Sequence, residues 1–220
     1  MNLITYKNTS YWGQSVAILI HSQLEYLISK KGKASLVVPG GTTPDPVFNA
    51  LSNMELDWSK VIIIPSDERC VTLDSKRSNE RMIRNSLLKN KAEGARLISL
   101  FQDQSCGEET NKQIRLLLPL SICLLGMGED LHVASLFPDS DELSDAIAKD
   151  APETVCVSVP SQPEQRITLS LNVLNSAQHT HLLFKGETKL KVFMQRGHDH
   201  NNPLAPVSFF TRQATVHYIE

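Results

Sequence analysis

The sequence predicts an α/β protein built on an open, mostly parallel β-sheet flanked by helices, a Rossmann-like layering. Three observations carry that prediction. Short continuous apolar runs, each closed by Gly, Pro or a polar cluster, recur along the chain and suit strands buried on both faces. Stretches with helical spacing of apolar residues lie between them, so strand and helix alternate. The 220 residues, 41% of them apolar, are enough for one core of ordinary size, and residues 1–220 are read as a single domain.

The first element in chain order is a helix. Val16, Ile20, Leu24 and Leu27 fall on one face of it, with Ser10 available as the cap and Gly32 as the stop. The pattern then changes period. Runs at 35–39 (SLVVP), 61–65 (VIIIP) and 121–125 (SICLL) read as strands, with helical patterns over 44–51 and 79–88 between them. The stretch 140–152, rich in Asp, Glu, Ala and Ser, reads as a short exposed helix with its loops or as a mobile flap. A strand at 181–184, a helix over 187–195 and a strand at 215–219 complete the alternation, and no internal repeat is present.

Composition excludes several classes of function. With 22 basic and 24 acidic residues the formal charge is -2, so the chain has no electrostatic footprint for nucleic acid or an anionic membrane surface, and any anion must be met locally. Cys70, Cys106, Cys123 and Cys156 lie far apart without CxxC spacing, which predicts four reduced thiols rather than a disulfide framework or a zinc knuckle. No run of ~18 apolar residues occurs, and the N-terminus reaches no apolar signal core, so neither export nor membrane insertion is expected.

In open parallel sheets ligands bind beyond the carboxyl ends of the strands, and three strand ends here carry unusual chemistry. The first is Gly40, Gly41, Thr42 and Thr43, followed by Pro44 in the first turn of a helix. Two glycines allow close backbone approach and two hydroxyls can donate, which makes a phosphate cradle. The spacing matches neither GxGxxG nor GxxxxGK[ST], so a monophosphate fits better than a nucleotide. The second is Asp67, Glu68 and Arg69, where Arg69 offers a planar donor fork; on a surface loop the three could equally pair with one another and with water. The third runs from Leu125 to Pro138 and places Asp130 two residues before His132 inside a Gly-rich turn. Imidazole is the natural general base near neutrality, and a neighbouring carboxylate can orient it.

These stretches resemble the 6-phosphogluconolactonases, relatives of the glucosamine-6-phosphate deaminases. The matching text is 40–44 (GGTTP), 67–69 (DER) with Val71, Ser78 and Asn79, then 126–132 (GMGEDLH) running into 134–138 (ASLFP), 166–169 (RITL), 186–189 (GETK) and 206–208 (PVS), in the family's order. The resemblance implies the α/β fold already inferred and hydrolysis of 6-phospho-D-glucono-1,5-lactone in the oxidative pentose phosphate pathway, without metal or organic cofactor. It implies Arg166 and Lys189 as phosphate ligands beside the 40–43 loop, His132 as the base that activates water, Asp130 as the group holding its ring, and Arg69 as a substrate-orienting residue. The expected partner is the small phosphorylated lactone, with no nucleic acid or membrane, and the chain is expected to be a cytoplasmic monomer or weak homodimer.

Two rivals and one departure accompany the resemblance. The deaminases continue with Ala-Phe-Asn-Glu after the histidine and use that Glu, whereas Ala134 here is followed by Ser-Leu-Phe-Pro. A non-catalytic sugar-phosphate binder is the other; no helix-turn-helix or basic patch precedes the domain to suggest a regulator. The departure is Leu131, which stands where the lactonases carry Gly between the Asp and the His. Because the flanking residues keep the pattern, Leu131 is expected at ordinary negative φ, with the family glycine serving clearance.

Overall fold

The computed structural model describes residues 2–101, 107–160 and 163–220. In chain order these form β1 (Asn2–Tyr6), α1 (Thr9–Lys31), β2 (Ala34–Val38), α2 (Asp45–Leu51), β3 (Val61–Pro65), β4 (Asp67–Arg69), α3 (Asn79–Ser86), β5 (Arg96–Leu97), α4 (Glu108–Arg115), β6 (Ile122–Gly126), α5 (Leu143–Ile147), β7 (Thr154–Val157), β8 (Arg166–Leu169), α6 (Leu171–Asn175), β9 (His179–Lys185), α7 (Glu187–Arg196) and β10 (Thr215–Ile219). Seven strands make one sheet in the order β1-β10-β9-β6-β2-β3-β5, and every neighbouring pair in it is parallel. The predicted layering is therefore present. Successive strand residues feed opposite layers: Leu36, Ile63, Leu124 and Leu183 pack on one face, and Val37, Ile64, Leu125 and Leu182 on the other.

Helix α1 buries the predicted face, with Val16, Ile20 and Leu24 wholly enclosed and Leu27 nearly so. Gly32 ends it at φ 76°, a left-handed C-cap that only glycine adopts without strain. The cap at the other end is Asn8 rather than Ser10. Asn8 is extended and its side chain accepts from the Tyr11 amide, whereas Ser10 already lies inside the helix. Similarly, Pro44 is the residue before α2, and Pro46 occupies its first turn. Gly13 lets α1 close on that turn: a Cβ there would stand 2.7 Å from the Pro46 side chain.

A second, antiparallel sheet of order β4-β8-β7 was not legible in the sequence. The chain leaves β3 at Ser66, whose amide still donates to Val38 of the main sheet while its carbonyl accepts from Leu169 at the end of β8. Strand β4 thus hangs off the carboxyl end of β3 and carries its side chains over the mouth of the main sheet. The 140–152 stretch contains only the short α5, and it is packed on one side, with Leu143 and Ala146 buried in the core. Cys70 and Cys123 are free thiols, but Cys156 on β7 is disulfide-bonded, which corrects the expectation of four reduced thiols; Cys106 lies outside the described residues. Sequence spacing reports neighbours along the chain, and the sheet makes others. No helix among the described residues is long and apolar enough to cross a membrane.

Candidate active site

Strand order reverses between β2 and β6: the chain goes from β2 outward to β3, and from β6 outward to β9 on the other side. A crevice must open beyond the carboxyl ends of these two strands, and a cavity of about 220 Å³ lies there. It is roughly monosaccharide-sized, smaller than the ~300 Å³ at which drug-sized ligand pockets begin. Seven of the nine predicted site residues form its wall: Gly40, Gly41, Thr43, Arg69, His132, Arg166 and Lys189. Asp130 stands one shell behind, on His132. Thr42 does not reach the cavity and is exposed at its rim, its carbonyl accepting from the Asp45 amide.

The Gly40–Gly41 turn has steric reasons for both glycines. A Cβ on Gly40 would fall 1.9 Å from Oδ1 of Asn79, and Gly41 sits at φ 81°. Asn79 opens α3 and donates from Nδ2 to the Asp67 carbonyl at 2.9 Å, so the loop after β2 rests on a side chain tied to β4. Helix α3 is itself capped by Ser78 and by Glu68, whose buried carboxylate accepts from the amides of Arg69, Asn79 and Glu80 and from the Ser78 hydroxyl. Of the acid-acid-base triplet at 67–69, Glu68 is thereby structural.

Across the cavity, Arg69 and Arg166 are directly opposed on antiparallel β4 and β8. Like charges at such positions destabilise a sheet, and local rules of this kind are broken chiefly at functional sites. Arg166 is 5% exposed, and its pKa is lowered from the ordinary guanidinium value first by burial, with Asp67 opposing that shift and Arg69 adding to it. Its Nη1 lies 3.7 Å from the Asp67 carboxylate. Asp67 accepts from Ser66 Oγ at 3.0 Å and Ser135 Oγ at 2.6 Å. Arg69 is steadied from outside by a hydrogen bond to the Arg77 carbonyl, and Arg77 in turn forms a bidentate pair with Glu164. The third cation, Lys189, projects from the first turn of α7 after Gly186 (φ 92°) and donates to the Met127 carbonyl at 2.6 Å.

The loop after β6 is compact. Nδ1 of His132 is 2.5 Å from Oδ1 of Asp130, whose other contact is the His132 amide at 3.3 Å. Partial burial would raise the Asp130 pKa, but the hydrogen bond and charge of His132 outweigh it and hold the carboxyl below its ordinary range. Gly128 makes room for this pair: a Cβ there would lie 2.2 Å from Nδ1 of His132 and 2.4 Å from Oδ1 of Asp130. The turn closes through Leu131 N donating to Gly128 O and Gly128 N donating to His132 O.

Leu131 contradicts its expectation. It sits at φ 68°, in left-handed space, and Ala134 follows at φ 52°. The turn that brings Asp130 back onto His132 takes a left-handed backbone at this position, which a glycine would adopt without strain. Leucine is tolerated because its side chain is 2% exposed within the main core cluster, and its carbonyl accepts from the Val207 amide. Burial of a Leu side chain is worth about 1.5–3 kcal/mol, enough to offset a left-handed penalty of about 1–2 kcal/mol.

The sequence presents Asp67 only as part of the 67–69 triplet, and it does not single out Ser135 and Asn79 as site residues. Their roles depend on cross-strand and cross-loop contacts that no local spacing reports. Among the described residues no group of three His, Cys, Asp or Glu side chains is placed to hold a metal ion.

The family described as glucosamine-6-phosphate isomerases/6-phosphogluconolactonase matches residues 8–218. A 6-phosphogluconolactonase of Rhizobium meliloti is 32% identical over 219 residues, covering 97% of this chain and 94% of its own. One from Xylella fastidiosa is 37% identical over 201 residues, covering 87% and 83%. The crystal structure of a 6-phosphogluconolactonase from Shewanella baltica superposes with a TM-score of 0.92 at 32% identity, covering 100% of this chain and 98% of that one. A monomeric glucosamine-6-phosphate deaminase shares the fold at a TM-score of 0.79 with 15% identity.

Proposed function

The chain belongs to the glucosamine-6-phosphate isomerase/6-phosphogluconolactonase family, and on that premise we propose that it hydrolyses 6-phospho-D-glucono-1,5-lactone to 6-phospho-D-gluconate with His132 as general base. The observation that supports this most is the 2.5 Å Asp130–His132 contact at the wall of a cavity that also holds three cations. Asp130 accepts from Nδ1–H, which assigns Nε2 as the nitrogen that can take a proton.

In the proposed reaction the phosphate dianion sits against Thr43, Arg166, Lys189 and the Gly40–Gly41 turn, and Arg69 orients the sugar. A fork and a point charge together suit a dianion. A water attacks the C1 carbonyl while Nε2 takes one of its protons, and the imidazolium that forms is stabilised by the Asp130 carboxylate. Collapse of the tetrahedral intermediate breaks the bond from C1 to the ring oxygen. The imidazolium returns its proton to that oxygen, leaving a free hydroxyl and a carboxylic acid that ionises. Such a cycle regenerates His132 and consumes one water.

The enzyme acts on the small lactone alone, and we place it in the cytoplasm, where charged sugar phosphates are retained, as a monomer or weak homodimer. Because lactones of this kind also open spontaneously in water, the test is a rapid assay on freshly generated lactone against an enzyme-free blank. Acceleration that disappears in His132→Ala supports the reading. A rate equal to the blank in the folded wild-type protein overturns it in favour of a sugar-phosphate binder.

A further inference from the structure

The ring of Phe137 lies between the two functional halves of the site. Its centroid is 4.2 Å from that of His132 with the planes tilted by 35°, and the Arg166 guanidinium carbon stands 5.4 Å from the same ring. The Arg166 distance is within the range of cation–π attraction, and the two rings stand slightly closer than the usual separation of about 4.5–7 Å for aromatic pairs, in direct contact. Phe137 is 2% exposed and is not part of the cavity wall. The segment that carries it is pinned on both sides. Ser135 donates from its amide to Thr168 Oγ1 on β8 and from its hydroxyl to Asp67 on β4, while Val133 bridges Met127 and Leu136 and the Phe137 carbonyl accepts from the Ser140 amide. Phe137 therefore has one available place, and two groups with different tasks rest on it.

We propose that Phe137 is a positioning residue shared by the base and the phosphate site, its buried ring setting the plane of the His132 imidazole and the place of the Arg166 guanidinium together. Asp67 holds Arg166 on one side, and the aromatic ring holds it on another; the imidazole is fixed by Asp130 at Nδ1 and by Phe137 across its plane. A misplacement of about 1 Å in a reacting group can lower a rate by ~10²-fold, so a wall that loses its flat face acts on rate and affinity at once. A residue that merely fills core volume would change stability without touching either.

This inference rests on the assignment of His132 as base and Arg166 as phosphate ligand, so its test includes a readout that needs no turnover. In wild-type protein, imidazole proton resonances identified by their loss in His132→Gln are expected upfield of the exposed histidines, through the ring current of Phe137. In Phe137→Leu they return to ordinary positions. Kinetically, Phe137→Leu is expected to lower kcat about tenfold on both the phosphorylated lactone and its unphosphorylated counterpart, and to raise KM about tenfold on the phosphorylated one only. Phe137→Tyr, which keeps the ring face, restores both parameters to within about threefold of wild type. The proposal is overturned by His132 resonances without upfield displacement in the wild type, or by Phe137→Leu with kcat and KM within about twofold of normal. A fall in kcat on both substrates with KM unmoved also overturns it, since that is the signature of fewer folded molecules. Should Phe137→Leu fail to fold, the wild-type resonances and Phe137→Tyr decide: a folded Tyr variant as impaired as His132→Ala counts against it. Failure of the assignment beneath shows separately, as His132→Gln retaining full activity.

Discussion

At the scale of single residues, the site rests on two side chains whose demands differ. As the proposed base, His132 needs a proton-accepting Nε2, and Asp130 supplies the contact that assigns it. His132→Ala should lower the chemical step by on the order of 10²- to 10⁴-fold while binding of 6-phosphogluconate persists, measured by single-turnover kinetics and product titration. Near-normal turnover would remove the histidine from the mechanism. Leu131 makes the opposite demand, on the backbone. With φ at 68° and its side chain in the core, replacing it by glycine relieves strain of about 1–2 kcal/mol but empties a leucine-sized space, for which losses of about 2–5 kcal/mol are usual. Leu131→Gly should therefore lower unfolding stability in urea by about 1–3 kcal/mol and change catalytic efficiency by less than about tenfold. A hundredfold gain in efficiency would instead mean that leucine impairs the natural loop.

At the scale of elements, the proposed phosphate site is assembled from pieces far apart in the chain: the turn after β2, the start of β8 and the first turn of α7. Their separate contributions should appear in KM. Lys189→Ala removes one charge-assisted contact worth about 1.5–3 kcal/mol, so KM for the phosphorylated lactone should rise about 10- to 100-fold while the unphosphorylated lactone is hardly affected. Equal effects on both substrates would place Lys189 elsewhere in the reaction. Gly128→Ala tests the loop after β6 in the same manner. Its Cβ would sit 2.2 Å from His132 Nδ1, so the dyad must separate, and kcat should fall toward that of His132→Ala with KM little changed. A Gly128→Ala enzyme with wild-type kcat would show that the turn can give way without loss.

At the scale of the whole molecule, one buried polar chain crosses the layers and makes folding depend on pH. Tyr6 on β1 donates to Nδ1 of His217 on β10 at 3.2 Å, His217 Nε2 donates to Nδ1 of His181 on β9 at 3.1 Å, and His181 Nε2 donates to Gln23 on α1 at 2.9 Å. Each ring in this chain has one donor and one acceptor nitrogen, so both are neutral. Burial pushes the His181 pKa down to about 3, with His217 and His179 adding to it, and burial alone takes His217 to about 4. Both folded values lie below the ordinary 6.5, so below that pH the unfolded chain binds more protons than the native one. Stability is then full above about pH 6.5 and lost as pH falls toward about 4, with a slope approaching ~2.7 kcal/mol per pH unit for two protons. Urea midpoints at pH 7, 6 and 5 should fall steadily, and a flat series would mean that the histidines are charged or exposed in solution.

Much of this architecture could be read from the residues themselves. The runs 35–39, 61–65 and 121–125 are apolar on both alternating sets of positions, as strands covered on both faces are, and each became a strand of the parallel sheet. The loops after three of them carried their chemistry in local order, so His132, Asp130, Arg69 and the Gly40–Gly41 turn could be named by position. Strand β1, with a single buried residue, and the two-residue β5 have too little apolar pattern to announce themselves. The antiparallel β4-β8-β7 sheet, the clamp of Asp67 and Phe137 on Arg166, the disulfide at Cys156 and the left-handed Leu131 were decided only by tertiary structure. Periodicity and turn chemistry act between neighbours in the chain, so a sequence determines them by itself; opposed arginines, a shared aromatic wall and a forced φ arise from contacts between segments, which exist only once the fold has brought those segments together.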